Sequence, residues 1–266
     1  MKIVVNEKNC FVPHHASAYA VRDMIKNDAD IIIVNGHVIH KDITLKAKDT
    51  VTLIKRGEKP KKRALEALLV ARHTPGVHER IKNACVGIAG LGGLGSHAAV
   101  SLARLGIGKL ILIDYDVVEP SNLNRQHYFL KHIGMKKTSA LKDILEQINP
   151  FVKIVTKDVC LDQTNIAMCF REPDIVIEAF DHPESKAVLV NTLLSEHKTV
   201  VAASGVAGYF SNNTITTKRV MKNLYVIGDG VSEAKIGSGL MAPRVAIAAN
   251  HQANMVLRLI LGERHT

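Results

Sequence analysis

Residues 84–95 read Ala-Cys-Val-Gly-Ile-Ala-Gly-Leu-Gly-Gly-Leu-Gly. The first six residues are apolar or small and read as a buried strand, Ala84–Ala89. The next six place glycines at 90, 92, 93 and 95. Ser96–Leu105 then has the spacing of a helix. A strand, a glycine-rich loop and a helix in that order form the setting of a nucleotide-binding turn. Glycine lets the backbone turn tightly and approach a phosphate or ribose, and the helix start presents unpaired N–H groups to an anion. The next strand, Lys109–Ile113, ends at Asp114, 19 residues beyond Gly95. A carboxylate there can accept both ribose hydroxyls.

Working outward, the alternation continues. Ile133–Ile148 shows helical spacing through Met135, Leu141, Ile144, Leu145 and Ile148. Val152–Val155, Asp174–Glu178 and Thr199–Ala203 read as strands, and Ala242–Leu261 reads as a long helix. Strands alternating with helices predict an α/β domain over residues 83–266: a Rossmann-like, mainly parallel sheet with flanking helices.

Residues 1–57 have a different texture. Met1–Val5 and Asn9–Val12 are short extended runs. Ser17 can cap a helix reaching about Lys26. Ile31–Val34 is a β-branched run closed by the Asn35-Gly36 turn signal, and Val51–Ile54 is a last strand. This β-β-α-β-β order resembles the ubiquitin-like β-grasp fold. Asp30–Gly36 (DIIIVNG) and residues 48–57 (KDTVTLIKRG) resemble the small sulfur carriers of thiamine and molybdopterin synthesis. Those carriers end in a free Gly-Gly. Here the strand runs into Arg56-Gly57-Glu58 and the chain continues, so this domain is not expected to be an activated substrate itself. Residues 58–82 read as a basic connector with a helix near Lys62–Arg72, broken at Thr74-Pro75-Gly76.

The chain has 266 residues, 47% of them hydrophobic and 23% charged, which suits an ordinary globular protein. Its formal net charge of +10 favours an acidic partner or a bound polyphosphate. No nucleic-acid motif accompanies that charge, and the run Lys59–Arg63 (KPKKR) reads as a solvated linker, so no nucleic-acid partner is expected. The four cysteines, Cys10, Cys85, Cys160 and Cys169, form no CxxC pair. Cys85 reads as a small buried hydrophobe, and Cys160 and Cys169, with their apolar neighbours, read as structural. The opening MKIVVNEKNC is charged too early for a secretory leader, and no apolar run reaches the roughly 18–20 residues of a membrane span. A cytoplasmic protein without membrane association is the expectation.

The glycine loop and Asp114 suit NAD as well as ATP. The next segment separates them: Asp114-Tyr-Asp-Val-Val-Glu-Pro-Ser-Asn-Leu-Asn-Arg-Gln126. A nicotinamide-dependent oxidoreductase leaves its polar Ser-Asn-Leu-Asn-Arg-Gln run without a task. A triphosphate needs cations and donors, and Arg125 offers a planar fork for phosphate oxygens. Lys137, or the adjacent Lys136, offers a compact charge at the start of a helix. Read without further comparison, Arg125 also suits a surface salt bridge.

These segments, with Gly134-Met-Lys-Lys137 and the helix end ALKDILEQINP (140–150), resemble the ThiF/MoeB/HesA superfamily of ubiquitin-activating-like adenylyltransferases. The resemblance covers about residues 62–262. The segment GDGVSEAKIGSGLMAPRV (228–245) looks like the zinc-free ThiF variety of thiamine synthesis. It implies ATP and Mg²⁺, with Gly90, Gly92, Gly93, Gly95, Asp114, Asn122, Arg125, Gln126 and Lys137 holding the nucleotide. Asp181, in Glu178-Ala-Phe-Asp181, would hold Mg²⁺, although a helix N-cap before Pro183 is an alternative role. The implied activity is adenylation of the C-terminal Gly-Gly carboxylate of a ThiS-like carrier, with a molybdopterin-type carrier or a non-catalytic nucleotide-binding scaffold as alternatives. A homodimer is implied, with Arg72 reaching the partner's phosphates and Arg63 and Arg80 as rivals. Lacking both CxxC pairs, the chain is expected to hold no zinc. Lacking a cysteine between Gly205 and Gly239, it is expected to form no covalent link to a carrier there.

Overall fold

In a computed structural model the described residues are 1–60, 62–74 and 76–266, without the side chains of Lys62, Arg63 and Ala64. Lys61 of the KPKKR run and Pro75 of the expected helix break therefore lie outside the described residues, as does the Arg63 side chain. The chain divides into two compact units, Met1–Glu79 and Arg80–Thr266.

The first unit is built on a five-stranded sheet. Its strands are β1 (Lys2–Val5), β2 (Lys8–Phe11), β3 (Ile31–Val34), β4 (His37–Val38) and β5 (Thr50–Ile54), in the order β2-β1-β5-β3-β4. β1 and β5 are parallel, and every other neighbour pair is antiparallel. Helix α1 (Ala18–Ile25) starts where Ser17 accepts the Ala20 N–H. Its Ala18 and Val21 enter one core with Ile3, Val5, Ile32, Val51 and Leu53. The Asn35-Gly36 turn takes positive φ at both residues, 50° and 85°. This is the β-grasp arrangement expected from the residues.

The stretch that would be a carrier's free tail is pinned here. Asp30 accepts the Arg56 N–H at 2.9 Å, and Lys26 pairs with Glu58. The chain then enters α2 (Lys62–Val70). The chain beyond it passes close to the Asn35-Gly36 turn, where a Cβ at Gly36 would stand 2.7 Å from the His73 carbonyl oxygen. Helix α3 (Val77–Lys82) follows along the chain.

The second unit carries a seven-stranded sheet. Its strands are β6 (Cys85–Ala89), β7 (Lys109–Asp114), β8 (Lys153–Asp158), β9 (Ile175–Glu178), β10 (Thr199–Ala203), β11 (Thr216–Met221) and β12 (Leu224–Gly228). Their spatial order is β11-β12-β10-β9-β6-β7-β8, and β11 alone runs antiparallel to its neighbour. Four helices join them, α4 (Gly93–Arg104), α5 (Lys137–Ile148), α6 (Ile166–Cys169) and α7 (Pro183–Ser195), and α8 (Ala242–Ile260) follows β12. One face of the sheet packs Ile111, Ile113, Val176 and Val200 against Phe170, Leu189 and Leu193. The alternate residues Leu110 and Leu112 point the other way and are equally buried, as a sheet covered on both faces requires.

Two boundaries differ from the sequence reading. The helix expected from Ile133 begins at Lys137, because Gly134 has φ +84° and Met135 accepts the Val118 N–H at 2.8 Å, which keeps residues 133–136 out of the helix. The helix expected from Ser96 begins at Gly93, so the glycine loop itself forms the first turn. The β11–β12 pair and α7 are additional to the segments named from sequence. Among the described residues no helix is long and apolar enough to cross a membrane.

Candidate active site

The strand order reverses between β6 and β9, with β7 and β8 to one side and β10 and β12 to the other. At such a switch point the loops leaving neighbouring strands diverge and open a crevice at the carboxyl ends. A cavity of about 700 Å³ lies there. It is lined by the glycine loop after β6, by Asp114 at the end of β7, by Ala179–Asp181 after β9 and by Ser204–Ala207 after β10. Arg125, Gln126 and Lys137 also face it.

Gly90 leaves β6 with φ +87°, a conformation that strains any side chain. Gly90, Gly92 and Gly93 line the cavity. Gly95 does not; it lets α4 lie against the loop, since a Cβ there would run into the Gly90 carbonyl oxygen. Asp114 is 9% exposed, and its two carboxylate oxygens accept the N–H groups of Leu91 at 2.6 Å and Asp116 at 2.8 Å.

Arg125 is half-buried and is held through Nη1 by the Ser121 carbonyl at 3.2 Å and Asn124 Oδ1 at 2.9 Å. Lys137 is buried on the cavity wall, with Nζ 2.7 Å from Asp116 Oδ2. Lys136, its rival, turns away and donates to the Tyr115 carbonyl. Gln126 is buried, and its Oε1 has no protein partner. Asn122 stands apart from the cavity lining: it is buried and its Oδ1 accepts the Glu119 N–H, closing a 3₁₀ turn beneath the loop.

Asp181 stands at the cavity mouth, its side chain 87% exposed, with His182 Nε2 at 3.9 Å. The N-cap of α7 is His182, so capping is not the task of Asp181. Among the described residues no cluster of three or more His, Cys, Asp or Glu side chains could hold a metal. A single open carboxylate fits a Mg²⁺ ion that takes its other ligands from phosphates and water.

Of the three arginines considered for a partner's site, Arg72 is exposed in the first unit. Arg80 donates to the Ile260 carbonyl at 3.1 Å. The Arg63 side chain is outside the described residues.

Cys169 is buried in the core, whereas Cys160, also expected to be structural, is exposed and lines the cavity. The apolar neighbours Val159 and Leu161 misled that reading, because they too line the cavity just past the end of β8. The sequence reading also missed Lys186 and the Ser204–Ala207 wall. Glu178 was the available signal, a charge closing an otherwise apolar strand.

These features define a doubly wound α/β protein with a polar crevice at its topological switch point, preceded by a β-grasp unit. The chain belongs to the ThiF family, which it matches over residues 66–266, and residues 1–57 match ThiS-like ubiquitin. The adenylyltransferase and sulfurtransferase UBA4 of Candida glabrata is 32% identical over 191 residues, covering 69% of this chain and 44% of that protein. The chain thus spans less than half the length of this curated relative. Among solved structures, E. coli tRNA N6-threonylcarbamoyladenosine dehydratase TcdA in complex with ATP superposes with a TM-score of 0.70 at 20% identity. That match covers 77% of this chain and 98% of TcdA, and it speaks to the fold. E. coli MccB with AMPCPP and MccA gives a TM-score of 0.56 at 28% identity, covering 71% of this chain and 59% of MccB.

Proposed function

We propose that this protein uses ATP to adenylate the C-terminal Gly-Gly carboxylate of a small ubiquitin-like sulfur carrier, releasing pyrophosphate. One observation carries the reading: a single crevice gathers the glycine loop, Asp114, Arg125, Lys137 and Asp181. The name of the UBA4 relative and the ATP analogue bound to MccB support it. The ThiS-like first domain supports thiamine (thiazole) synthesis as the setting.

In this reading a carrier carboxylate oxygen forms a bond to the α-phosphorus, and the bond from that phosphorus to the bridging oxygen of pyrophosphate breaks. A carboxylate is already ionised at neutral pH, so no general base is required. The chain's task is to align two anions and to neutralise charge on the departing pyrophosphate. Asp114 takes the ribose. Arg125 and Lys137 take phosphate oxygens; one of the three Lys137 donors is committed to Asp116. Asp181 would hold Mg²⁺, which supplies further charge neutralisation. The carrier comes from another chain, because Arg56-Gly57-Glu58 is neither a diglycine nor a terminus here. The protein works as a homodimer, with the exposed Arg72 available to the partner's phosphates.

Mass spectrometry tests the product: a carrier ending in Gly-Gly, incubated with the protein, ATP and Mg²⁺, gains one adenylyl group. A carrier that stays unmodified while ATP is bound supports a scaffold instead.

A further inference from the structure

The pairing of β9 with β10 runs from Ile175↔Thr199 to Ile177↔Val201 and stops there. Glu178 continues beside Ala89 of β6, while Ala202 and Ala203 continue beside β12. The two strands therefore part just before their loops reach the cavity. Side chains stitch this gap from both faces. From α8, Gln252 Nε2 donates to the carbonyls of Glu178 at 2.9 Å and Val201 at 3.0 Å. From α7, Lys186 Nζ donates to Glu178 Oε2 at 2.7 Å and to the Ala203 carbonyl at 2.6 Å. The other oxygen of Glu178 accepts the Phe180 N–H at 2.7 Å, one residue before Asp181.

Glu178 is fully buried, and burial raises its pKa against the pull of Lys186. A buried ion pair gains little stability over a well-packed apolar pair, so its value here lies in geometry. The Lys186–Glu178 pair joins the roots of the two loops that form opposite cavity walls. Ala179–Asp181 leaves one end of the clamp, and Ser204–Ala207 leaves the other.

We infer that Lys186 is a positioning residue for Asp181: by holding Glu178 and the Ala203 carbonyl together, it fixes the spacing of the two loops and places the metal-binding carboxylate. The inference rests on the adenylation reading for the role of Asp181 and extends it to a pair that contacts no phosphate in that mechanism.

The test is calorimetric ATP binding to the full-length chain, with Mg²⁺ and with EDTA. Lys186→Met should weaken binding in Mg²⁺ by about 10- to 100-fold, the usual effect of losing a support behind a metal ligand. Affinity in EDTA should stay unchanged, and Lys186→Arg should recover most of the loss. Equal weakening in both conditions would mean that Lys186 touches the nucleotide itself and would overturn the inference. No weakening in either would overturn it too. If Lys186→Met does not fold, Glu178→Gln is read in its place, with the same selective loss expected. A wild-type chain whose ATP affinity ignores Mg²⁺ removes the metal role of Asp181 and the reading beneath it. A Mg²⁺-dependent wild type with an indifferent Lys186→Met removes only the positioning role.

Discussion

Asp114 Oδ2 accepts the backbone N–H of Leu91 at 2.6 Å, joining the end of β7 to the glycine loop that leaves β6. Its Oδ1 accepts the Asp116 N–H at 2.8 Å. One carboxylate thus shapes the loop, and its remaining lone pairs are the ones that the proposed mechanism assigns to a ribose. Asp114→Asn keeps one acceptor oxygen and turns an amide towards the other donor. It should cost about 1–3 kcal/mol in urea unfolding, as for a buried donor left unpaired, and weaken ATP binding as well. A variant with wild-type stability would mean that the Leu91 contact is dispensable.

Arg125 and Asp181 sit on the cavity without belonging to a core; one is half-buried and the other open to solvent. Arg125→Ala and Asp181→Ala should each slow adenylation by about a hundredfold or more while thermal unfolding stays near wild type. Near-normal rates in both variants would remove these residues from the mechanism.

The thiols report on the cavity independently of turnover. Cys160 is exposed on its wall. Burial and the neighbouring Glu172 push the Cys85 thiol up to about 11. Iodoacetamide at pH 8 should therefore label Cys160 first and Cys85 slowly, because the thiolate is the reactive form. ATP should protect Cys160. Labelling of Cys160 at the same rate with saturating ATP would place the nucleotide elsewhere.

His97 and His127 stack edge to face, with centroids 5.2 Å apart, and burial holds both below the usual 6.5. Between 6.5 and their lower folded values the unfolded chain binds more protons. Their contribution to stability is therefore complete above 6.5 and is lost as pH falls through that window. Urea unfolding across this range should show the decline, and His127→Phe should make it shallower. An unchanged slope in the variant would assign the decline to other groups.

The crevice was legible where its chemistry is local. Glycines between a strand and a helix, and a carboxylate closing the next strand, announce themselves by spacing. Asp181 and Lys137 could be picked out through family resemblance, and the fold brings both to the same cavity. What stayed hidden depends on distant pairing. Lys186 acquires its role only because β9 and β10 part beyond Ile177 and Val201. The apolar neighbours of Cys160 suggest a structural thiol, yet such residues line a cavity as readily as a core. Gly95 looked like a phosphate glycine, but it is there so that the helix can pass the Gly90 carbonyl. Asn122 carries the polarity of a ligand contact, and its Oδ1 is taken by the Glu119 N–H of its own turn.

The most direct measurement is ATP–pyrophosphate exchange with Mg²⁺, run with a carrier ending in Gly-Gly and with the same carrier lacking those two residues. Exchange that requires the intact diglycine is the predicted result, because the carboxylate must reach the α-phosphorus beside Arg125 and Asp181. ATP binding with no exchange in the presence of either carrier would contradict carrier adenylation.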